Sequence, residues 1–542
     1  MSTDSVPKWR RITTRVITAL AFLFVLFALV APNELSKLSP WSILQIPLEG
    51  LVGVVLVLVL PPKPRRIAAV VLGSLLGILL IWKLFDMGFY TTLARPFDPV
   101  FDWSFLGPGF DFLADAIGQG GAVAAAVGVS ILAVALVVLT ALSAMRLSRV
   151  VAGRPTASTR ALALLGIVWV GAAAFGQPFA SYSAVALAYD HGRQVGASLQ
   201  DSNAYNAEAS VDAFRDVPGT QLLTGLRGKD VIIAFVESYG QVAIQDPVIA
   251  PAVDAVLDAG TSKLRAAGFE SKSAFITSST SGGGSWLAHS TLQSGVLINN
   301  QKRYDTFVAS DRFTLSQAFK RAGWKTVGVV PQHMKPWPEG KVYGFDSYYD
   351  SHTSGYKGKN FFYAQMPDQY TLSAFQRNER AKQDRKPVMA EIDLVSSHTP
   401  FVPLPKMIDW NAVGDGSIFT EQAEKGTKPE DVWNDAAKTL AAYGESIQYS
   451  LNSLISYVQT YGDNNLVLVF LGDHQPQPAI AGDRATKNVP VSIVAKDPAV
   501  LERTASWGWH DGLNPGQEAP VWPMQDFRDR FLTTFGPHPP TR

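Results

Sequence analysis

Gly472-Asp473-His474 stand at the end of the apolar run NNLVLVFLGDHQ, residues 464–475. Such a run reads as a strand buried on both faces, and open α/β sheets bind ligands beyond the carboxyl ends of these strands. Asp followed at once by His, after a Gly that lets the backbone turn, puts a carboxylate and an imidazole together there. The pair is either part of a metal site or a strand-terminating turn with both side chains solvated. Glu237 closes a second run, DVIIAFVE (230–237), as a metal ligand or as the cap of the following turn. In SSTSGGGSWLAHSTLQSG (278–295) three glycines deliver Ser285 to a helix start, with His289 one turn later on the same face. Backbone N–H groups at a helix N-terminus favour an anion, so a phosphate fits beside the Ser285 hydroxyl. That hydroxyl becomes a nucleophile only with a base or a metal to lower its pKa. The plainer alternative is a flexible loop with Ser285 as N-cap. His333 and Trp337 in VVPQHMKPWPEG and His398 in DLVSSHTPF follow two more strand ends. With eight His in the chain, finding Glu, His, His and Asp-His at four strand ends points to an active site along one sheet edge.

The elements that must position these residues alternate from Gly228 onward. Strands are expected at 230–237, 325–330, 387–395, 466–473 and 489–495, and helices at 250–267, 312–323 and 436–459. Strands alternating with helices imply a doubly wound, mostly parallel sheet. There are no internal repeats, and the only biased tract is the Ser/Thr/Gly run 277–285. The segment WGWHDGLNP (507–515) adds aromatic residues and His510, either covering the site or packing on the membrane-facing side.

The 542 residues leave room for several domains, and a formal charge of +1 gives no reason to expect nucleic acid as a partner. Zero Cys excludes disulfides, thiolate metal sites, cysteine nucleophiles and any cysteine-derived formylglycine. Hydrophobicity is concentrated in the first third, in stretches 14–32, 42–61, 66–86, 121–145 and 160–180. Each approaches the roughly 20 residues a helix needs to cross a bilayer, which predicts a five-helix transmembrane domain over 1–180. Lys8, Arg10, Arg11 and Arg15 precede the first span, Lys63, Arg65 and Arg66 follow the second, and Arg146, Arg149, Arg154 and Arg160 follow the fourth. The alternate loops carry only Lys37 and Arg95 beside several acids. Basic loops stay cytoplasmic, so the N-terminus is expected inside and everything after residue 180 outside. The aromatic and acidic segment 87–120 suits either the membrane interface or a compact loop. Glu49 and Lys83, near the outer ends of spans, either snorkel or line a headgroup site. Residues 181–228 read as a connector, and 229–542 as an extracytoplasmic catalytic domain.

The order strand-Glu, Gly-rich Ser, TLSQAFKRAGWKT, SHTPF and GDH resembles the sulfatase-type branch of the alkaline phosphatase superfamily. SWLAHSTLQSG follows the sulfatase pattern C-x-P-S-R-x-x-L-x-T-G, with Ser285 in the Cys place and His289 in the Arg place. Five spans before such a domain are similar to the lipoteichoic acid synthases and lipid A phosphoethanolamine transferases. The resemblance implies an alkaline phosphatase/sulfatase-like fold and one divalent metal, Mn²⁺ favoured with Zn²⁺ or Mg²⁺ as alternatives. It implies Glu237, Ser285, Asp473 and His474 as ligands, with Ser285 also the nucleophile. The reaction implied moves a phosphoglycerol or phosphoethanolamine headgroup from a membrane phospholipid, through a phospho-Ser intermediate, to an envelope glycan or glycolipid. His398 and His333 are then placed to position phosphate or exchange protons, His289 to contact an anion or pack in its helix, and Trp337 with GFDSYYD (344–350) to wall the substrate. The alternatives are a membrane-anchored phosphodiesterase, phosphatase or sulfatase-like hydrolase using water, and an inactive envelope scaffold. Three departures bear on substrate. Ser replaces the Thr of those transferases, Glu339 lies where the synthases carry a basic residue, and the Arg of true sulfatases is missing.

Overall fold

Helices apolar on every side have no polar face to turn toward water, and they make up the N-terminal third. The structure is a computed structural model describing residues 8–482 and 485–536. It divides into one unit of Met1–Thr91 with Arg95–Asp201 and another of Thr92–Ala94 with Ser202–Arg542.

The first unit contains α1 (Lys8–Val30), α2 (Leu48–Val59), α3 (Pro62–Leu93), α4 (Leu106–Ala152) and α5 (Pro155–Ala174). All but α2 are long and apolar enough to cross a membrane. The second expected span is shorter than its apolar stretch. Its 12-residue helix rises about 18 Å, because Pro40–Ile43 forms a separate turn ahead of it. Most of the segment 87–120 is helical too, as the end of α3 and the start of α4, which kinks at Gly118. Gly73 and Gly77 face α4, where an added Cβ would lie 2.7 Å from the Cα of Ala141 and of Val137. This is close small-residue packing of the kind membrane helices use.

Lys83 does not snorkel. Lys83 is buried, and its Nζ donates to the carbonyls of Ala28 and Leu29, 2.9 and 3.1 Å away. It thereby satisfies orphan acceptors in the last turn of α1. Glu49 accepts from the Val185 N–H at 2.9 Å. The stretch expected as a connector holds a long helix, α6 (Ser183–Ser210). Within the first unit its His191 meets Asp86 at 3.0 Å, and its Ser198 donates to Asp98 at 2.5 Å. Its polar residues are partners of buried carboxylates, which is why no apolar period announces it.

In the second unit the strands are β1 (Asp230–Val236), β2 (Glu270–Thr277), β3 (Lys325–Val329), β4 (Ser347–Tyr349), β5 (Val388–Leu394), β6 (Leu466–Gly472), β7 (Asn488–Ala495), β8 (His510–Asp511) and β9 (Val521–Pro523). They form one sheet ordered β8-β2-β7-β6-β1-β5-β3-β4, with β9 also on β2. The pairs from β6 to β4 are parallel, while β7 runs antiparallel to both neighbours. Two reversals cancel, so β2 points the same way as β6. The carboxyl ends of β1, β2, β3, β5 and β6 therefore share one edge. Helices α7 (Ala250–Ala266) and α10 (Ala436–Tyr461) pack on one face, and α8 (Ser285–Ser294), α9 (Leu315–Arg321) and α11 (Asp526–Phe535) on the other. The tryptophans of 507–515 are neither lid nor membrane contact. Trp507 and Trp509 pack with Trp522 in the core, and His510 begins the edge strand β8.

At the opposite edge Asp230 anchors the sheet. It accepts from both Arg385 amino groups at 2.7 and 2.6 Å, from Arg380 Nε at 3.1 Å and from the Val388 N–H at 2.9 Å. Burial opposes its charge, but Arg385, the Val388 N–H and Arg380 outweigh it and hold the carboxyl below its ordinary range. Asp230→Ala leaves the buried Arg380 to the exposed Asp463 as its ion partner and is expected to cost about 3 kcal/mol, measured by urea unfolding in detergent. Because the folded-state pKa is depressed, this contribution is complete above about pH 4. It should fade only as the pH falls further, through the folded value.

Candidate active site

Each strand reaching the shared edge ends on a turn that aims one side chain inward. After β1 the chain enters a left-handed residue, Ser238 (φ 56°), whose N–H donates to Asp473 Oδ1 at 2.7 Å and whose hydroxyl donates to Glu237 Oε1 at 2.8 Å. This one residue orients carboxylates from two strands. After β6, Gly472 lies so close to the Tyr239 carbonyl that a Cβ would sit 1.9 Å from its oxygen. After β2, Gly282, Gly283 and Gly284 all have positive φ, and the Gly282 N–H donates to the Gln475 carbonyl at 2.9 Å. That loop brings Ser285, the first residue of α8, against the ends of β1 and β6.

Four expected residues meet here. Ser285 Oγ donates to Glu237 Oε2 at 3.2 Å and lies 3.2 Å from His474 Nε2. His474 Nε2 is 3.5 Å from Glu237 Oε1 and 3.4 Å from Asp473 Oδ2. Ligands about 2.1 Å from one small cation lie about 3.0–3.5 Å apart at tetrahedral or octahedral angles, so these separations fit such an ion. The His474 tautomer fits as well. Its Nδ1 faces the Gln475 carbonyl at 2.8 Å, which can only accept, so Nδ1 carries the hydrogen and Nε2 turns its lone pair to the cluster. Burial and the neighbouring Glu237 charge push the Asp473 carboxyl up.

His398 follows β5. Its Nδ1 donates to the Thr399 carbonyl at 2.6 Å, and its ring stacks on Tyr363 with centroids 4.4 Å apart. Burial opposes the charge of Glu237, but nearby groups, His398 foremost, hold that carboxyl below its ordinary range. His333 packs edge-on against Trp337 at 4.8 Å, and burial followed by the field of His289 lowers its pKa. Trp337 also contacts Tyr343 and Tyr348, 5.5 and 6.3 Å between centroids. His289 is buried and stacks on Phe235 at 3.8 Å, with Nδ1 3.3 Å from Glu391 Oε1 and 3.4 Å from Asp393 Oδ1.

Sequence reasoning missed Ser238, Tyr363 and the carboxylates Glu391 and Asp393. The last two left a signal: two acids at i and i+2 within the otherwise apolar PVMAEIDLV must share a buried sheet face.

Residues 278–490 match the family model described as Sulfatase. The chain is similar to the lipoteichoic acid synthase LtaP of Listeria monocytogenes, at 16% identity over 62% of this chain and 78% of that one, with a TM-score of 0.40. It is similar to the soluble domain of lipooligosaccharide phosphoethanolamine transferase A of Neisseria meningitidis, at 14% identity over 59% and 93%, TM-score 0.38. A third similar structure is the Streptococcus pyogenes phosphoglycerol transferase GacH in complex with sn-glycerol-1-phosphate, at 12% identity over 61% and 90%, TM-score 0.34. No curated protein sequence matches.

Proposed function

We propose that this protein transfers a phospho-alcohol headgroup from a membrane phospholipid to an envelope glycan or glycolipid by way of phospho-Ser285. The observation that carries the reading is the convergence of Ser285 Oγ with Glu237, Asp473 and His474 at separations of 3.2–3.5 Å. A divalent cation held by these four residues, Mn²⁺ in preference to Zn²⁺ or Mg²⁺, would lower the hydroxyl pKa and polarise a phosphoryl oxygen. Ser285 Oγ, its proton lost to solvent once the cation is bound, would attack phosphorus, forming an O–P bond as the bond to the diacylglycerol oxygen breaks; the acceptor oxygen would then bond phosphorus as the Ser285 O–P bond breaks. His398, with Nδ1 engaged by Thr399, has Nε2 left to protonate that leaving oxygen and later to take a proton from the acceptor hydroxyl. His333 and Trp337 border the headgroup on the β3 side.

The first unit supports a membrane donor and an outward-facing domain. Arg146 near the end of α4 reaches Thr18 Oγ1 and the Thr14 carbonyl of α1, at 3.0 and 2.7 Å. The start of α1 and the end of α4 thus lie together, on the cytoplasmic side by their basic residues. For α3 to end opposite them and lead into α4, the chain must already have returned between α1 and α3. The short α2 and its lead-in supply that crossing, which makes five and leaves residues after α5 outside. An apolar groove of about 550 Å³ in this unit, lined by Val54, Leu72 and Leu76 with Glu49 and Arg65, has the chemistry of an acyl-chain contact.

The test is incubation of detergent-solubilised protein and Mn²⁺ with headgroup-labelled phosphatidylglycerol, followed by mass spectrometry of the Ser285 peptide. The reading expects diacylglycerol release and a headgroup-phosphate adduct whose mass names the headgroup. Label recovered only as free glycerophosphate would make the protein a hydrolase, and no release at all would sink both readings.

A further inference from the structure

We infer that His289, Glu391 and Asp393 form a second divalent-cation site, one helical turn below Ser285 and separate from the cluster around His474. Glu391 and Asp393 alternate on β5, with their side chains on the face that α8 covers, and His289 projects from α8 toward them. The three groups can offer ligand atoms that all lie within 4.8 Å of one another, and all three residues are buried. The separations of 3.3 and 3.4 Å from His289 Nδ1 to the two carboxylates repeat those found around His474. They are the spacing that about 2.1 Å bonds to a shared ion produce.

The way the carboxylates are held is the second, independent observation. Each has one oxygen engaged by an amide and the other turned to His289. Gln293 Nε2 donates to Glu391 Oε2, and Gln332 Nε2 donates to Asp393 Oδ2 at 2.7 Å. Asp393 is 5% exposed, and its remaining oxygen, Oδ1, has no hydrogen-bond partner although it is buried. A buried carboxylate oxygen left without a donor is costly, and here it is aimed at the point a cation would fill. Outer amides that fix one carboxylate oxygen and free the other are the usual support of a metal ligand. Phe235, parallel to the imidazole at 3.8 Å, fixes the third ligand. One imidazole with two carboxylates is a donor set for Zn²⁺ or Mn²⁺, with solvent completing the shell.

An imidazolium between two carboxylates is the competing arrangement. It leaves the trio with a net negative charge beside Asp473, whereas a divalent ion and a neutral imidazole bring it to zero.

Purified full-length protein equilibrated with Mn²⁺ or Zn²⁺, then dialysed, is to be measured by elemental analysis. Two ions per chain are expected, falling to one in Asp393→Asn, to one in Asp473→Ala and to none in the double variant. One ion in the wild type that survives Asp393→Asn and disappears in Asp473→Ala would overturn the second site and leave the proposed function standing. Loss of the His474-centred ion alone would do the reverse. Should Asp393→Asn not fold, Gln332→Ala keeps every ligand and is expected to weaken one of two titration phases about 10- to 100-fold. Anomalous scattering from wild-type crystals then decides directly: a peak beside His289 Nδ1 supports the site, and its absence refutes it.

Discussion

Ser285→Ala is expected to lower kcat for headgroup transfer on the order of 10³-fold or more, the scale on which a nucleophile acts, with little change in folding. The asymmetry follows from the residue's surroundings. The N-cap of α8 is Gly284, in a left-handed conformation with no side-chain cap, so the Ser285 hydroxyl stabilises no helix end. Its partners are Glu237 and His474, both of which remain to hold a cation with Asp473. The variant should therefore keep its melting temperature and most of its cation affinity while losing diacylglycerol release and the covalent adduct. Ser285→Thr retains a hydroxyl at the same atom and should recover a substantial part of the rate. A Ser285→Ala protein that still forms a headgroup adduct would place the nucleophile elsewhere.

Removing a ligand charge should act on the cation first and on the rate through it. Asp473→Asn keeps an oxygen for the N–H groups of Ser238 and His474, each 2.7 Å from Oδ1, but removes the charge facing His474 Nε2. Cation affinity is expected to fall more than 10²-fold, and activity with it, as read by titration calorimetry and turnover. The stability signature is the sharper check. An ion at 100 times the Kd of this site adds about 2.7 kcal/mol over the chelated protein, and this site's share of the gain should vanish in the variant, leaving only what an ion at His289 adds. Without ion the sign reverses. Asp473 is buried and Glu237 partly so, and the two carboxylates are held together, so neutralising one relieves their repulsion. Chelated Asp473→Asn should melt no lower than chelated wild type. A variant that melts far below it would make Asp473 a structural residue.

Much of this protein was legible because the relevant signals are local. An apolar run ending in Gly-Asp-His reveals a strand and what stands at its end without any knowledge of neighbours. Basic clusters beside apolar stretches mark membrane helices in the same way. Helices at 250–267 and 436–459 declared themselves through an apolar face, and they stand at Ala250–Ala266 and Ala436–Tyr461. What escaped depends on partners remote in the chain. β2 carries no apolar signal of a strand because Ser271, Lys272 and Ser273 interrupt it, yet it pairs with β7 along its whole length. Helix α6 carries little apolar periodicity because what its His191 and Ser198 meet in the first unit are the carboxylates Asp86 and Asp98. The apolar stretch 42–61 hid a short helix, because hydropathy does not register the separate turn at Pro40–Ile43.

The chain alone therefore determined the classes of element, the α/β alternation and the residues standing at strand ends. These follow from periodicity and composition within some ten residues. Only the tertiary structure decided that β7 runs antiparallel, that Ser238 orients Glu237 and Asp473 together, and that His289 faces Glu391 and Asp393 across a sheet face. Such facts depend on which distant segments become neighbours. Ser285 and His474 lie far apart in sequence, and what joins them at 3.2 Å is sheet order and a left-handed glycine loop.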